Sequence, residues 1–149
     1  MISSQDLEPG SPHRHSSFGG QTCLVTGGSQ GLGNAVARLM KARGAANIVL
    51  VGRDQEKGAA AAAALDGDGC SVSFLSADLA TTEGAHLAID TTDEWHGTLH
   101  TVATCAAATW RGTVWNTTGP MWDEMMAINV KANGLLISGA AKILSLIHI

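Results

Sequence analysis

Apolar positions along the chain fall into two kinds of stretch that alternate. Thr22 to Val25 is a short apolar run. Beyond it Leu32, Val36, Leu39 and Met40 recur at helical spacing up to about Arg43, which predicts a strand and then a helix. Gly44 ends that helix, as glycine often does just past a last turn. The run from Asn47 to Val51 suits a strand buried on both faces of a parallel sheet. Gln55 to Leu65 carries an alanine run, Ala59 to Ala64, and alanine is the best helix former. Asp66 to Gly69 is a turn, and Cys70 to Ser76 alternates enough for a third strand. Thr82 to Trp95 predicts a helix with apolar points at Ala85, Leu87, Ala88, Ile89 and Trp95, and Leu99 to Ala103 predicts a fourth strand. A polar loop follows from Thr109 to Pro120. A last helix opens at Met121, with Met125, Ile128, Ala132, Leu135, Leu136 and Ile143 on its apolar face.

Between the first strand and helix stand Gly27, Gly31 and Gly33, spaced Thr-Gly-x-x-x-Gly-x-Gly. Glycine lets the backbone bend tightly and approach a ligand, and the free N–H groups of a helix start suit an anion such as a pyrophosphate. No Gly-Lys-Ser/Thr follows, so this is not a P-loop. At the end of the second strand stand Gly52 and Arg53, where NAD-preferring folds commonly carry an acidic residue. A guanidinium pairs with a 2′-phosphate and has no such partner on NAD. NADP(H) is therefore expected over NAD(H), and a solvated turn arginine is the plain alternative. Asp54 is positioned to cap the next helix.

The glycine spacing near the N-terminus resembles the short-chain dehydrogenase/reductase family, over about residues 20–143. The resemblance implies an α/β fold, a Rossmann-type doubly wound parallel sheet with strand order 3-2-1-4. It also implies hydride transfer between a nicotinamide cofactor and a small carbonyl or alcohol substrate. Gly27, Gly31 and Gly33 would shape the pyrophosphate turn, with contacts from Ser29, Gln30 and Leu32. Asp78 and Leu79 would flank the adenine, and Ala106 and Ala107 would line the ribose side. Thr104-Cys105-Ala106-Ala107 stands where the family commonly carries Asn-Asn-Ala-Gly, and only Ala106 matches. Asn129 would belong to a proton relay; the plain alternative is an asparagine bonded to backbone at a helix kink. Trp110 and Trp115 either border a substrate pocket or pack as ordinary loop residues. An oligomeric parent is implied by resemblance alone. Two other readings stand beside the enzyme: a non-catalytic nucleotide-binding module, and a structural protein, which fits poorly with the glycines and Asp78 together.

Composition narrows the classes. The chain has 149 residues and a formal net charge of −4, which fits one domain and gives no reason to expect nucleic acid or an anionic membrane as a partner. Cys23, Cys70 and Cys105 are widely spaced, with no metal-ligand or disulfide pattern, so a reducing cytoplasm is expected. Cys105 reads as structural. No segment has the length of a membrane span, and no secretory signal is readable. Residues 1–20 read as a mobile tail, in which His13 and His15 flank Arg14 without further metal-ligand types.

The sequence contains no tyrosine. The resemblance places an active-site Ser and a Tyr-x-x-x-Lys pair after the last helix, so the chain is expected to be a fragment that lacks the acid protonating the carbonyl. Leu144 to Ile149 is what CTG-TCT-CTT-ATA-CAC-ATC encodes, bases that match the mosaic-end adapter of transposase-based libraries. That end is expected to be non-native, with a natural apolar helix end that happens to match as the plain alternative, and a half-sheet with an open edge is expected to aggregate or be partly molten.

Overall fold

The protein is described by a computed structural model over residues 18–147. The expectations for residues 1–17, with His13 and His15, and for residues 148–149 lie outside the described residues. The elements run β1 (Thr22–Thr26), α1 (Gly31–Ala42), β2 (Asn47–Gly52), α2 (Gln55–Leu65), β3 (Ser71–Ser76), α3 (Thr82–His96) and β4 (Thr101–Thr104). A 3₁₀ turn (Val114–Asn116) then leads to α4 (Gly119–Met126), a π-helical turn (Ala127–Lys131) and α5 (Ala132–Ile147). The four strands are parallel in the order β3-β2-β1-β4. This is the strand order of a Rossmann-type doubly wound sheet, with helices between successive strands.

Side chains on successive strand residues point to opposite faces, and here each face meets its own helices. Leu24, Val49 and Val51 pack with Ala85, Ala88 and Ile89 of α3 and with Ala132, Leu136 and Ala140 of α5. On the other face Cys23, Val25, Ile48 and Leu50 pack with Ala37 and Met40 of α1 and Ala62 and Leu65 of α2. β1 and β2 lie between both layers, which explains their unbroken apolar runs. Every residue of β1 is buried.

The edges of the sheet are more polar or more open. β3 is capped by exposed Ser71 and Ser76. β4 is only partly buried, and among the described residues no strand pairs with its outer side. The sheet's lower rim is joined by side chains. The Thr22 N–H donates to His100 Nδ1 at 3.1 Å, Asn47 Nδ2 to Thr22 Oγ1 at 3.1 Å, and Thr101 Oγ1 to Gln21 Oε1 at 3.0 Å. Asp54 does cap α2, its Oδ1 accepting from the Lys57 N–H at 3.0 Å.

Several predicted faces differ in the structure. In α1 the buried positions are Gly33, Ala37 and Met40, while Leu32 and Leu39 are exposed. The first turns of the helix lie so close to the sheet that only the small Gly33 and Ala37 fit beneath them, and Met40 is buried at the far end. Large apolar residues follow the same helical period but sit one position to the side. In α3 Ala85, Ala88 and Ile89 are buried, but Leu87 and Trp95 are about half exposed. β4 begins two residues later than expected, at Thr101, and Leu99 is fully buried just before it. The last helix starts at Gly119, with Pro120 in its first turn, where a missing N–H costs nothing. Among the described residues no helix is long and apolar enough to cross a membrane.

Two measurements check this packing. Trp122, Met126, Val130 and Ile137 stand exposed along α4 to α5, beside the unpaired edge of β4. Expressed as these 149 residues, the chain should self-associate, and sedimentation velocity should show mass rising with concentration. A monodisperse, cooperatively melting monomer would contradict this. The second concerns pH. Burial, the largest cause, pushes the Cys23 thiol up to about 11 from 9.0, against a smaller lowering by Thr101. The unfolded chain then releases this proton first as pH rises, so the contribution of Cys23 to folding stability is full below pH 9 and is lost between 9 and about 11. The loss should be on the order of 2 kcal/mol, read as a fall in the urea midpoint of dilute protein. Cys23→Ala should flatten that slope, and an unchanged slope would refute the assignment.

Candidate functional site

The site begins where β1 leaves the sheet. Gly27 turns the chain at φ +66°, a region that side chains rarely adopt. A Cβ there would lie 2.9 Å from the Ala106 nitrogen and 3.0 Å from the Ala106 Cα. A Cβ on Gly33 would collide with the Gly27 carbonyl. The first turn of α1 therefore packs directly on the loop backbone. The loop is held from three sides. The Gly27 N–H donates to the Val51 carbonyl at 2.8 Å and the Gly28 N–H to the same oxygen at 3.4 Å. Asn34 Nδ2 donates to the Gly28 carbonyl at 3.2 Å, and Arg38 Nε holds Asn34 Oδ1 at 2.9 Å. Gln30 sits at the N-cap with extended backbone and gives no side-chain bond, and no acid lies in the first turn. The leading N–H groups of α1 are thus left for an anion, where the helix dipole also favours one.

These elements open onto a cleft of about 470 Å³ along the carboxyl ends of the strands. Its lining brings together Gly27, Ser29, Gln30, Gly31, Arg53, Asp78, Leu79, Ala106 and Ala107. Residues predicted from four separate stretches of sequence thus share one surface. Leu32 and Gly33 do not line it. Leu32 points to solvent, 72% exposed, and Gly33 works from beneath through its contact with Gly27. Asp78 forms a local turn, its Oδ1 accepting from the Ala80 N–H at 3.0 Å. α3 starts directly against it, because a Cβ on Gly84 would strike the Asp78 carbonyl.

The segment after β4 is fixed without the asparagines expected there. Thr26 Oγ1 accepts from the Cys105 and Ala106 N–H groups, each at 3.1 Å. One hydroxyl at the end of β1 thereby pins the next strand's exit. Asn129 secures the far side. Its Oδ1 accepts from the Ala108 N–H at 2.9 Å and its Nδ2 donates to the Ala108 carbonyl at 2.8 Å. Asn133 Nδ2 donates to the Asn129 carbonyl at 2.8 Å. Asn129 lies in the π-helical turn, a local widening often found at functional sites. Its side chain does not itself line the cleft.

Sequence reasoning missed Gly52, Asp54, Lys57, Ala77, Cys105 and Ile128 as lining residues. For Lys57 a signal existed, because it lies three residues past the capping Asp54, within reach on a first helical turn. The Lys57 backbone N–H, and then its ammonium, hold the Asp54 carboxyl below its ordinary range. The ammonium stands 3.2 Å from Asp54 Oδ2. Among the described residues Arg53 makes no ion pair. Burial raises the Cys105 thiol above its ordinary value, so it is not an activated nucleophile. Trp115 is 95% exposed and Trp110 half exposed. Neither lines the cleft, and Trp115 does not pack as a loop residue would.

Comparison with known proteins places this architecture. The family model described as short chain dehydrogenase matches residues 21–145. Human dehydrogenase/reductase SDR family member 4 is 30% identical over 124 residues, covering 83% of this chain and 44% of the relative. The chain therefore spans about half the length of the curated relatives it matches. A metagenomic short-chain oxidoreductase solved with NADP superposes with TM-score 0.79 at 30% identity, over 87% of this chain and 58% of the other. A short chain dehydrogenase from Burkholderia cenocepacia J2315, also with NADP, gives 0.81 at 28% identity, over 85% and 51%. The glycine turn, the strand order and the extent of the match make this chain a member of the short-chain dehydrogenase/reductase family.

Proposed function

We propose that this chain binds NADP(H) and forms the cofactor half of an oxidoreductase acting on a small carbonyl or alcohol. One observation carries the cofactor assignment. Among the described residues Arg53 has no ion pair in the cleft, while both oxygens of the neighbouring Asp54 already accept from Lys57. An acid in that place would serve the ribose 2′-hydroxyl of NAD, but this one is committed to helix α2. The guanidinium is free for a 2′-phosphate. The uncapped start of α1 suits the pyrophosphate, and the two close glycine contacts keep side chains out of its way. Two solved relatives contain NADP.

The bound nicotinamide would supply or accept the hydride. The chain's own residues bind and orient. Gly27, Gly31 and Gly33 shape the turn, Ser29 and Gln30 edge it, and Asp78 and Leu79 form the adenine end. Ala106 and Ala107 offer a flat wall, which Thr26 and Asn129 hold in place. We assign Asn129 to positioning and, by the resemblance, to the relay. The tyrosine acid of the family is not among the 149 residues. The reaction is therefore assigned to the whole protein and cofactor binding to this chain. Turnover is not expected from the 149 residues alone.

Titrating the purified protein with NADPH and with NADH tests the assignment. NADPH should bind at least roughly tenfold tighter, the worth of a charge-assisted contact. Arg53→Ala should erase that preference and leave NADH affinity in place. Tighter NADH binding by the unaltered protein would overturn the cofactor reading. Gly33→Ala should abolish binding of both with far-UV circular dichroism unchanged, because the added methyl separates α1 from the loop.

A further inference from the structure

We propose that Lys57 is a second cation for the cofactor's 2′-phosphate, and that Asp54 holds its ammonium at the cleft and tempers its charge. The inference rests on the reading of this cleft as an NADP(H) site. Lys57 is in the first turn of α2 and lines the same cleft as Arg53 and Ser29. Its ammonium lies 3.2 Å from Asp54 Oδ2, and its side chain remains 65% exposed. An exposed pair of this kind is weakly held. A phosphate bearing nearly two negative charges competes well for the same ammonium.

Charge balance supports two cations. Arg53 alone brings one positive charge to a nearly dianionic group. Lys57 brings the second, and Asp54 subtracts from it. Asp54 is not released when the ammonium turns away, because its Oδ1 still accepts from the Lys57 N–H at 3.0 Å. The helix cap and the phosphate contact therefore use different atoms of the same pair. The end of β2 carries no side chain of its own into the cleft. Gly52 has no side chain, and a Cβ there would fit in ordinary contact with the Phe74 ring at 3.5 Å and Ser29 Oγ at 3.7 Å.

The test uses adenosine 2′,5′-bisphosphate and 5′-AMP as probes, which differ by the 2′-phosphate. Binding is measured by calorimetry on the unaltered protein, Lys57→Met, Asp54→Asn and the double variant. Methionine keeps the helix propensity and the stem, and asparagine keeps the cap. Lys57→Met should weaken the bisphosphate roughly tenfold, as losing one charge-assisted contact does, with 5′-AMP affinity unchanged. Asp54→Asn should tighten the bisphosphate. The loss on Lys57→Met must persist in the Asp54→Asn background. If it vanishes there, Lys57 acts only by masking Asp54, and the direct contact is refuted. Equal weakening of both probes, or none, refutes it as well. Those outcomes leave the NADP(H) reading standing. A protein that binds neither NADPH nor the bisphosphate overturns that reading, and this inference with it.

Discussion

The contact between the Gly27 carbonyl and the backbone of Gly33 is the constraint on which the rest of the site depends. A single methyl on Gly33 would part them. With the contact made, α1 points its uncapped first turn into the space above β1, and the strand's exit turns tightly enough to clear Ala106. A core packed at crystal-like density transmits small displacements. The position of α1 therefore sets the width of the cleft, and only small residues, Gly33 and Ala37, can lie under the helix near its start.

Polar ties at the carboxyl rim complete what the glycines begin. Thr26 reaches across to the exit of β4, Val51 accepts from the glycine loop, and the Ala77 N–H donates to the Gly52 carbonyl at 2.9 Å. Each tie joins two neighbouring strand ends, so the loops that line the cleft have little independent freedom. Buried backbone groups need partners, and here those partners double as spacers of the site. The β4 exit shows this most plainly. The residues that the family commonly carries there are absent, yet the segment is held, by one threonine hydroxyl and by both ends of one asparagine amide.

The lining of the cleft is of mixed chemistry. Arg53 and the Lys57–Asp54 pair stand at the start of α2, while Ala106, Ala107 and Ile128 give the cleft apolar lining. Such a surface suits a long ligand with a charged end and a flat, weakly polar one. The thiols play no part in this. Cys23 and Cys70 are buried in the core layer beneath α1 and α2, and burial pushes all three thiols above their ordinary value.

Much of the architecture was legible in the linear pattern. The strand–helix alternation, the unbroken apolar runs of β1 and β2, the Asp54 cap and the glycine turn are local signals, because each is written within a few residues of where it acts. From them followed the parallel sheet and the glycine turn, while the strand order and the Asp78, Leu79, Ala106 and Ala107 lining came from the family resemblance. What the sequence could not display was distance across the fold. Nothing local marks Thr26 as the anchor of residues 79 and 80 positions away, or says that Leu32 and Leu39 face solvent while Ala37 faces the sheet. Nor does it show that Lys57 and Ile128 meet the same cavity. Those facts depend on how closely helices approach the sheet and which strand ends lie side by side, and only tertiary packing decides them. By itself the sequence determined which elements form and which chemistry they carry; the three-dimensional structure decided which side chains share a surface, because sharing depends on separation in space and not along the chain.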